Sequence, residues 1–266
     1  MIVSELYASR ELLRNLVLRD LRGRYKRSAL GMLWSLINPL ASLLIYATVF
    51  RYLLKAAPDA GNPSGLHNFA LWLLCGLLPW AFFSMSTSSG MRAIVDNAGL
   101  VRKVYFPREV LIIGSIGALQ VTFLIEMGLL LVALLIAGNM VLPWIPMLLL
   151  IMVFYFVFTV GVTLTLAALY VYFRDLSHLW AVVMQAGFYA VPVIYPLTLL
   201  QGHQVPYQIV RFNPISVFVE VIRNVLYDLR MPSWAHLGYA AAWAVAMVLV
   251  GLAVFRKLTP RFAEEI

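Results

Sequence analysis

Between Leu16 and Leu40 the chain reads LVLRDLRGRYKRSALGMLWSLINPL, and within that stretch it changes solvent. Arg19, Arg22, Arg24, Lys26 and Arg27 stand directly before the apolar run that opens at Leu30–Gly31–Met32–Leu33–Trp34. Lys and Arg packed against an apolar run mark the cytoplasmic end of a membrane helix. The rest of the chain obeys the same constraint. Of its 266 residues 62% are hydrophobic and only 12% charged, whereas a soluble domain carries about 25% charge to cover its surface. The net charge of +8 does not point to nucleic acid, because the positive residues sit between apolar runs and set topology. Residues 1–30 lack the apolar core and small-residue site of a cleavable signal. Cys75 is alone, so no internal disulfide forms. His67, His178, His203 and His236 show no ligand spacing, so no metal is expected.

The predicted fold class is an all-α polytopic membrane protein with six transmembrane helices in one domain, residues 1–266. Residues 4–27 read as an amphipathic helix lying on the membrane. Leu13, Leu16, Val17, Leu21 and Tyr25 share a face expected in the acyl boundary, and Arg10, Arg14 and Arg22 decorate the other. Spans are expected at 31–54, 69–90, 109–137, 144–172, 178–196 and 234–255, each near the ~20 apolar residues that cross a bilayer. The positive residues test the order. With the N-terminus inside, Arg92, Arg102, Lys103, Arg108, Arg174, Arg256, Lys257 and Arg261 all fall on the cytoplasmic side. Only Arg51, Lys55, Arg211, Arg223 and Arg230 fall outside. Both termini are therefore expected in the cytoplasm.

Asn213–Pro214 is a helix start, with Asn as N-cap and Pro at the first helical position. The helix that follows is too short to cross a bilayer. A seventh crossing would also put Arg256, Lys257 and Arg261 outside. Residues 193–230 therefore read as a re-entrant or interfacial helical hairpin on the outer face, or as a plain loop carrying one surface helix. No GxxxxGK[ST] occurs, and no nucleophile–base pair or paired carboxylates stand out. The chain reads as a translocation path and not as an enzyme.

The run Arg19, Asp20, Arg24, Tyr25, Ser28, Leu30, Gly31, Trp34, Pro39 resembles the N-terminal signature of the membrane permeases of polysaccharide-exporting ABC transporters, the O-antigen and teichoic-acid exporter class. Asn97–Lys103 with Phe106–Pro107, Tyr172–Phe173–Arg174–Asp175, and Val191–Pro192–Val193–Ile194–Tyr195 followed by Asn213–Pro214 extend the resemblance over nearly the whole chain. It implies a homodimer in the bacterial inner membrane, joined to two separate cytoplasmic ATPase subunits that carry the ATP and Mg, with no cofactor on this chain. The cargo it implies is a lipid-linked surface polysaccharide.

The resemblance also assigns roles. Loop 91–108 becomes an ATPase-coupling element, with Arg92, Asp96, Asn97, Arg102 and Lys103 as its contacts and a short helix around 92–100. An ordinary basic loop would carry the same charges. The helix 4–27 becomes a cytoplasmic gate whose Arg19, Arg22, Arg24, Tyr25, Lys26 and Arg27 meet the phosphate end of the substrate, by charge-assisted hydrogen bonds. The same residues could equally hold anionic lipid. Residues 197–230 become an outer gate with Asn213, Pro214, Glu220 and Arg223. Tyr46, Phe50, Phe82, Phe83, Tyr189 and Tyr195 are candidate rings for a glycan path, with core packing or an interfacial belt as the competing use. Glu126, in the middle of the third span, is either a path residue or a neutral or hydrogen-bonded helix contact. The alternatives are a teichoic-acid exporter permease, a drug or small-lipid exporter permease, and a secondary transporter coupling protons through Glu126.

Overall fold

A computed structural model describes residues 9–25, 37, 40, 41, 44, 45, 48, 49 and 60–265 apart from 105, 201 and 203. The expected first span 31–54, with Tyr46 and Phe50, lies outside the described residues save for those single positions. Lys26, Arg27 and the side chains of Arg24 and Tyr25 also lie outside them.

Among the described residues the regular structure is all helical, with no strand. The helices are α1 (Arg10–Tyr25), α2 (Phe69–Asp96), α3 (Ala98–Lys103), α4 (Glu109–Ile136), α5 (Ile145–Tyr172), α6 (Leu176–Ala190), α7 (Gln204–Phe212), α8 (Pro214–Arg223), α9 (Trp234–Leu258) and α10 (Phe262–Glu265). Four helical stretches are long and apolar enough to cross a membrane: Phe69–Asp96, Glu109–Ile136, Leu142–Tyr172 and Trp234–Arg261.

Local chemistry sets the helix ends. Asn68 caps α2, its side chain accepting from the N–H groups of Ala70 and Leu71 at 3.1 and 3.3 Å. Asn213 caps α8 by accepting from Ile215 N–H at 2.9 Å, with Pro214 at the first helical position. Gly138, at φ +86°, supplies the left-handed turn that ends α4. Residues 224–228 continue α8 as a π-helical turn, closed by Leu229 at φ 58°.

Packing centres on α2, which lies against α4, α5, α6 and α8. Phe82 and Phe123 stack at 4.7 Å, and Tyr155 packs on Phe218 at the same centroid distance. The Tyr155 hydroxyl donates to the Pro79 carbonyl at 2.9 Å. α8 is enclosed on every side: Val217, Phe218, Val219, Val221 and Ile222 are each 2% exposed or less.

α5 and α9 approach through glycine. A Cβ on Gly161 would strike the backbone of Met247 and Val248, and one on Gly251 would strike the Gly161 carbonyl. Gly128 on α4 has nothing within 4 Å of that position. Gly161→Ala is expected to destabilise the fold by at least about 1–3 kcal/mol, because the obstacle is backbone that cannot rotate away. Gly128→Ala is expected to be neutral or slightly stabilising. Thermal denaturation in detergent checks the pair.

Four features differ from the sequence expectation. The second helix does not stop at residue 90 but continues to Asp96, because no breaker intervenes and a helix extends freely once clear of lipid. The short helix of the following loop is α3, beginning at Ala98, so Arg92 and Asp96 belong to the end of α2. α6 ends at Ala190, ahead of Pro192, where residues 178–196 are expected to span. Its 15 residues reach about 22 Å at 1.5 Å per residue, short of a ~30 Å bilayer core. The apolar stripe of α1 also faces protein. Leu16 is 5% exposed and lies against Gly114, and Val17 lies against Gly117. The two glycines let α1 sit directly on α4.

Candidate functional site: polar junctions at the two ends of α2

At its Asp96 end, α2 meets α1 and α3. Arg19 on α1 donates from Nη1 to the Asn97 side-chain oxygen at 3.0 Å, across 78 residues of sequence. Its Nε and Nη2 hold Asp20 at 3.1 and 3.0 Å. The Asn97 amide nitrogen in turn donates to the Ala93 carbonyl at 2.8 Å. Asn97 thus fixes the elbow between α2 and α3 with one side-chain atom and α1 with the other. Beneath them lies a cavity of about 560 Å³ that includes Gly23, Asp96, Ser89 and Ser115. The two serine hydroxyls meet at 3.1 Å.

Arg102 and Lys103 form the exposed last turn of α3. They border a second cavity, about 740 Å³, shared with Arg108, Glu109, Arg256 and Thr259. The Arg108 guanidinium donates to the Thr259 carbonyl and lies 5.7 Å from the Phe262 ring. That tie between the basic loop and the C-terminal segment has no signal in the sequence, since its acceptor is a main-chain carbonyl 151 residues away.

At the Phe69 end of α2 the organising group is Arg223, 8% exposed. Its Nη1 donates to the Pro192 carbonyl and its Nη2 to the Val193 carbonyl, the latter at 2.6 Å. Its guanidinium carbon lies 3.7 Å from the centroid of Trp72. One cation therefore gathers the turn after α6, the end of α8 and the start of α2. The closeness requires Gly76, where a Cβ would meet the same guanidinium. Tyr227, one turn on, donates to the Leu66 carbonyl at 2.6 Å and accepts from Asn68 N–H at 3.1 Å. Asn139 donates to the Leu226 carbonyl at 2.7 Å. Asp228 accepts from Asn62 N–H at 3.3 Å and pairs with Arg230 at 3.3 Å. Partial burial raises its carboxyl above the usual carboxylate range, against the opposing pull of Arg230 and of the Asn62 N–H.

The remaining expected site residues disperse. Arg22, Arg92 and Asp96 are exposed, and Asn213, Pro214 and Glu220 are half-buried. Phe82 and Phe83 are 3% and 2% exposed and spend their faces on Phe123, Tyr155 and Phe158. Within the subunit they are core rings. Tyr189 is 61% exposed, and Tyr195 donates to its carbonyl at 2.9 Å. Tyr189 shares a cavity of about 450 Å³ between α2 and α6 with Trp80, Ser84, Ser88, Gln185 and Phe188. Trp80 and Phe188 meet edge-on at 6.0 Å. Glu126 is 8% exposed and forms no ion pair with any described residue. The described residues contain no cluster of three or more metal-ligating side chains.

Four helices long and apolar enough to cross a membrane, with a basic junction at one end of α2 and a buried arginine at the other, fit a membrane protein. The family model described as ABC-2 type transporter matches residues 11–227, and the chain belongs to that family. It is 31% identical over 265 residues to the O-antigen export system permease protein RfbA of Myxococcus xanthus, covering 100% of this chain and 99% of that protein. It is 28% identical over 250 residues to the protein of the same name from Klebsiella pneumoniae, covering 92% and 91%. It is 24% identical over 256 residues to the polysialic acid transport protein KpsM of Escherichia coli, covering 91% of each.

Proposed function

We propose that this chain is the permease subunit of an ATP-driven exporter that carries a lipid-linked, O-antigen-like surface polysaccharide from the cytoplasm across the bacterial inner membrane. The observation that carries the reading is the end-to-end likeness to permeases named for O-antigen export. Two copies form the path, and two separate ATPase subunits holding ATP and Mg dock beneath it. Both termini lie in the cytoplasm. Six spans result when the segment 31–54 and the short α6 with its following turn are counted beside the four long helices.

In this reading α1 is the interface gate helix, α3 and its flanks receive the ATPase stroke, and residues 197–230 form the re-entrant outer gate. Two structural features support that division. The all-round burial of α8 suits backbone held at membrane depth by protein. The Arg19–Asn97 bond joins the elbow to the gate helix directly. Glycan contact falls to the cleft between α2 and α6, where Gln185 and Tyr189 are exposed and Ser84 and Ser88 half-buried beside the buried Trp80, and the buried Phe82 and Phe83 shape that cleft from behind. Flat rings and hydroxyls let sugars slide without tight binding.

Disrupting the gene is expected to abolish the surface polymer and leave its lipid-linked precursor inside the cell. A strain that keeps normal surface polymer would contradict the reading. Reversing Arg102 and Lys103 to Glu is expected to lower export at least about tenfold by placing like charge against the ATPase. The fold should be retained, since both side chains are exposed. Export assays alongside pull-down of the ATPase check this outcome.

A further inference from the structure

We infer that the cavity at the Phe69 end of α2 is a binding subsite for a neutral sugar ring. It encloses about 490 Å³, within the ~300–1,000 Å³ of small-ligand pockets. A long polymer does not fit in it, but one or two rings do. Its walls come from four separate segments: residues 60–62, Trp72 of α2, the turn 192–198, and the end of α8 with its π-helical turn as far as Arg230.

The lining leaves hydrogen-bonding capacity unused. Among the described residues, the Glu220 carboxylate, the Thr198 hydroxyl, the side-chain amide of Asn62 and the Asn224 amide nitrogen have no hydrogen-bond partner. Arg223 Nε is buried without one as well. Asn224 uses only its oxygen, which accepts from Arg230 at 2.6 and 2.9 Å. Asn62 and Thr198 are exposed and Glu220 half-buried, so these groups are open to a ligand that enters the cavity.

Charge selects the class of occupant. Glu220 and Asp228 supply two carboxylates, and Arg223 and Arg230 two guanidinium groups. An anion brought in meets the carboxylates, and a bare cation meets the guanidinium groups. A polyol satisfies both, because each hydroxyl donates to a carboxylate and accepts from an amide or guanidinium N–H. The subsite's place on an export path rests on the polysaccharide reading above; the binding itself rests on the cavity.

The test uses the purified complex of this chain with its ATPase partner. Galactose, mannose and N-acetylglucosamine are titrated as neutral probes, and glucuronate and inorganic phosphate as anionic ones, by saturation-transfer NMR. The expected result is saturable binding of at least one neutral sugar, on the order of millimolar, weakened about tenfold or more in Glu220→Ala and in Thr198→Val. Thr198 lies on an exposed turn, so its variant keeps the test valid if Glu220→Ala folds poorly. No saturable neutral-sugar signal, unchanged binding in Thr198→Val, or preferred binding of glucuronate or phosphate would overturn the subsite. Polymer export is scored in the same strains. Export by a protein that binds no sugar overturns the subsite alone. Sugar binding in a chain whose deletion leaves surface polymer intact overturns the export reading alone.

Discussion

Removing the Arg223 side chain is expected to produce the largest loss of stability of any single polar substitution in this protein. Arg223→Met leaves two buried carbonyls, those of Pro192 and Val193, without donors, and each unmet group costs about 1–3 kcal/mol. It also removes the cation from the face of Trp72. A combined loss of about 3 kcal/mol lowers the melting temperature by roughly 6–12 °C for a chain of this size. Arg223→Lys is expected to recover little of it. An ammonium is a point charge and cannot fork onto two adjacent carbonyls while stacking on an indole. Thermal unfolding of the purified permease in detergent reads both variants. If Arg223→Lys melts with the unsubstituted protein, charge alone is at work and the fork geometry is irrelevant.

The second large effect is functional, with little change in stability. Arg19→Ala and Asn97→Ala are each expected to lower export about fivefold or more while the complex keeps hydrolysing ATP. The Arg19 side chain is 52% exposed, so its ion pair and hydrogen bond add only about 0–1 kcal/mol to stability. The variants should therefore fold. What they lose is the link between the elbow after α2 and the gate helix α1. The double variant is expected to be no worse than either single one, because both remove the same bond. Asn97→Ala separates the link from a direct phosphate contact. It leaves Arg19 free to meet substrate, so normal export by Asn97→Ala beside defective Arg19→Ala would assign Arg19 to the substrate and dissolve the link.

Much of the architecture is legible in the residues because the solvent imposes it. Apolar runs between basic clusters locate the long helices, and Asn213–Pro214 announces the start of α8, which the Asn213 side chain then caps. Charge is a poorer guide to helix length. Arg92 ends the apolar run, yet α2 continues to Asp96 because a charged residue does not unwind a helix. The face of α1 is ambiguous for a related reason. Leu16 and Val17 are suited to lipid and to protein alike, and only the glycines at 114 and 117 of a distant helix decide for protein.

The pins of the fold are the least legible features. Arg223 grips main-chain carbonyls about 30 residues away and Arg108 grips one 151 residues away. A carbonyl exists at every position, so no residue type signals the partner. Arg19 and Asn97 both stand out as polar residues of basic segments. That they touch depends on how α1 crosses α4. Phe82 and Phe83 illustrate the reverse problem: ring chemistry suits a glycan path, but burial decides whether a ring can reach one.

The most direct test of the central claim is reconstitution. The permease is placed in liposomes with and without its ATPase partner, and movement of a lipid-linked polysaccharide to the opposite leaflet is followed with ATP or with a proton gradient. The export reading predicts movement only with the partner present and ATP supplied, and none driven by the gradient. Movement by the permease alone, powered by the gradient and abolished in Glu126→Gln, would contradict it.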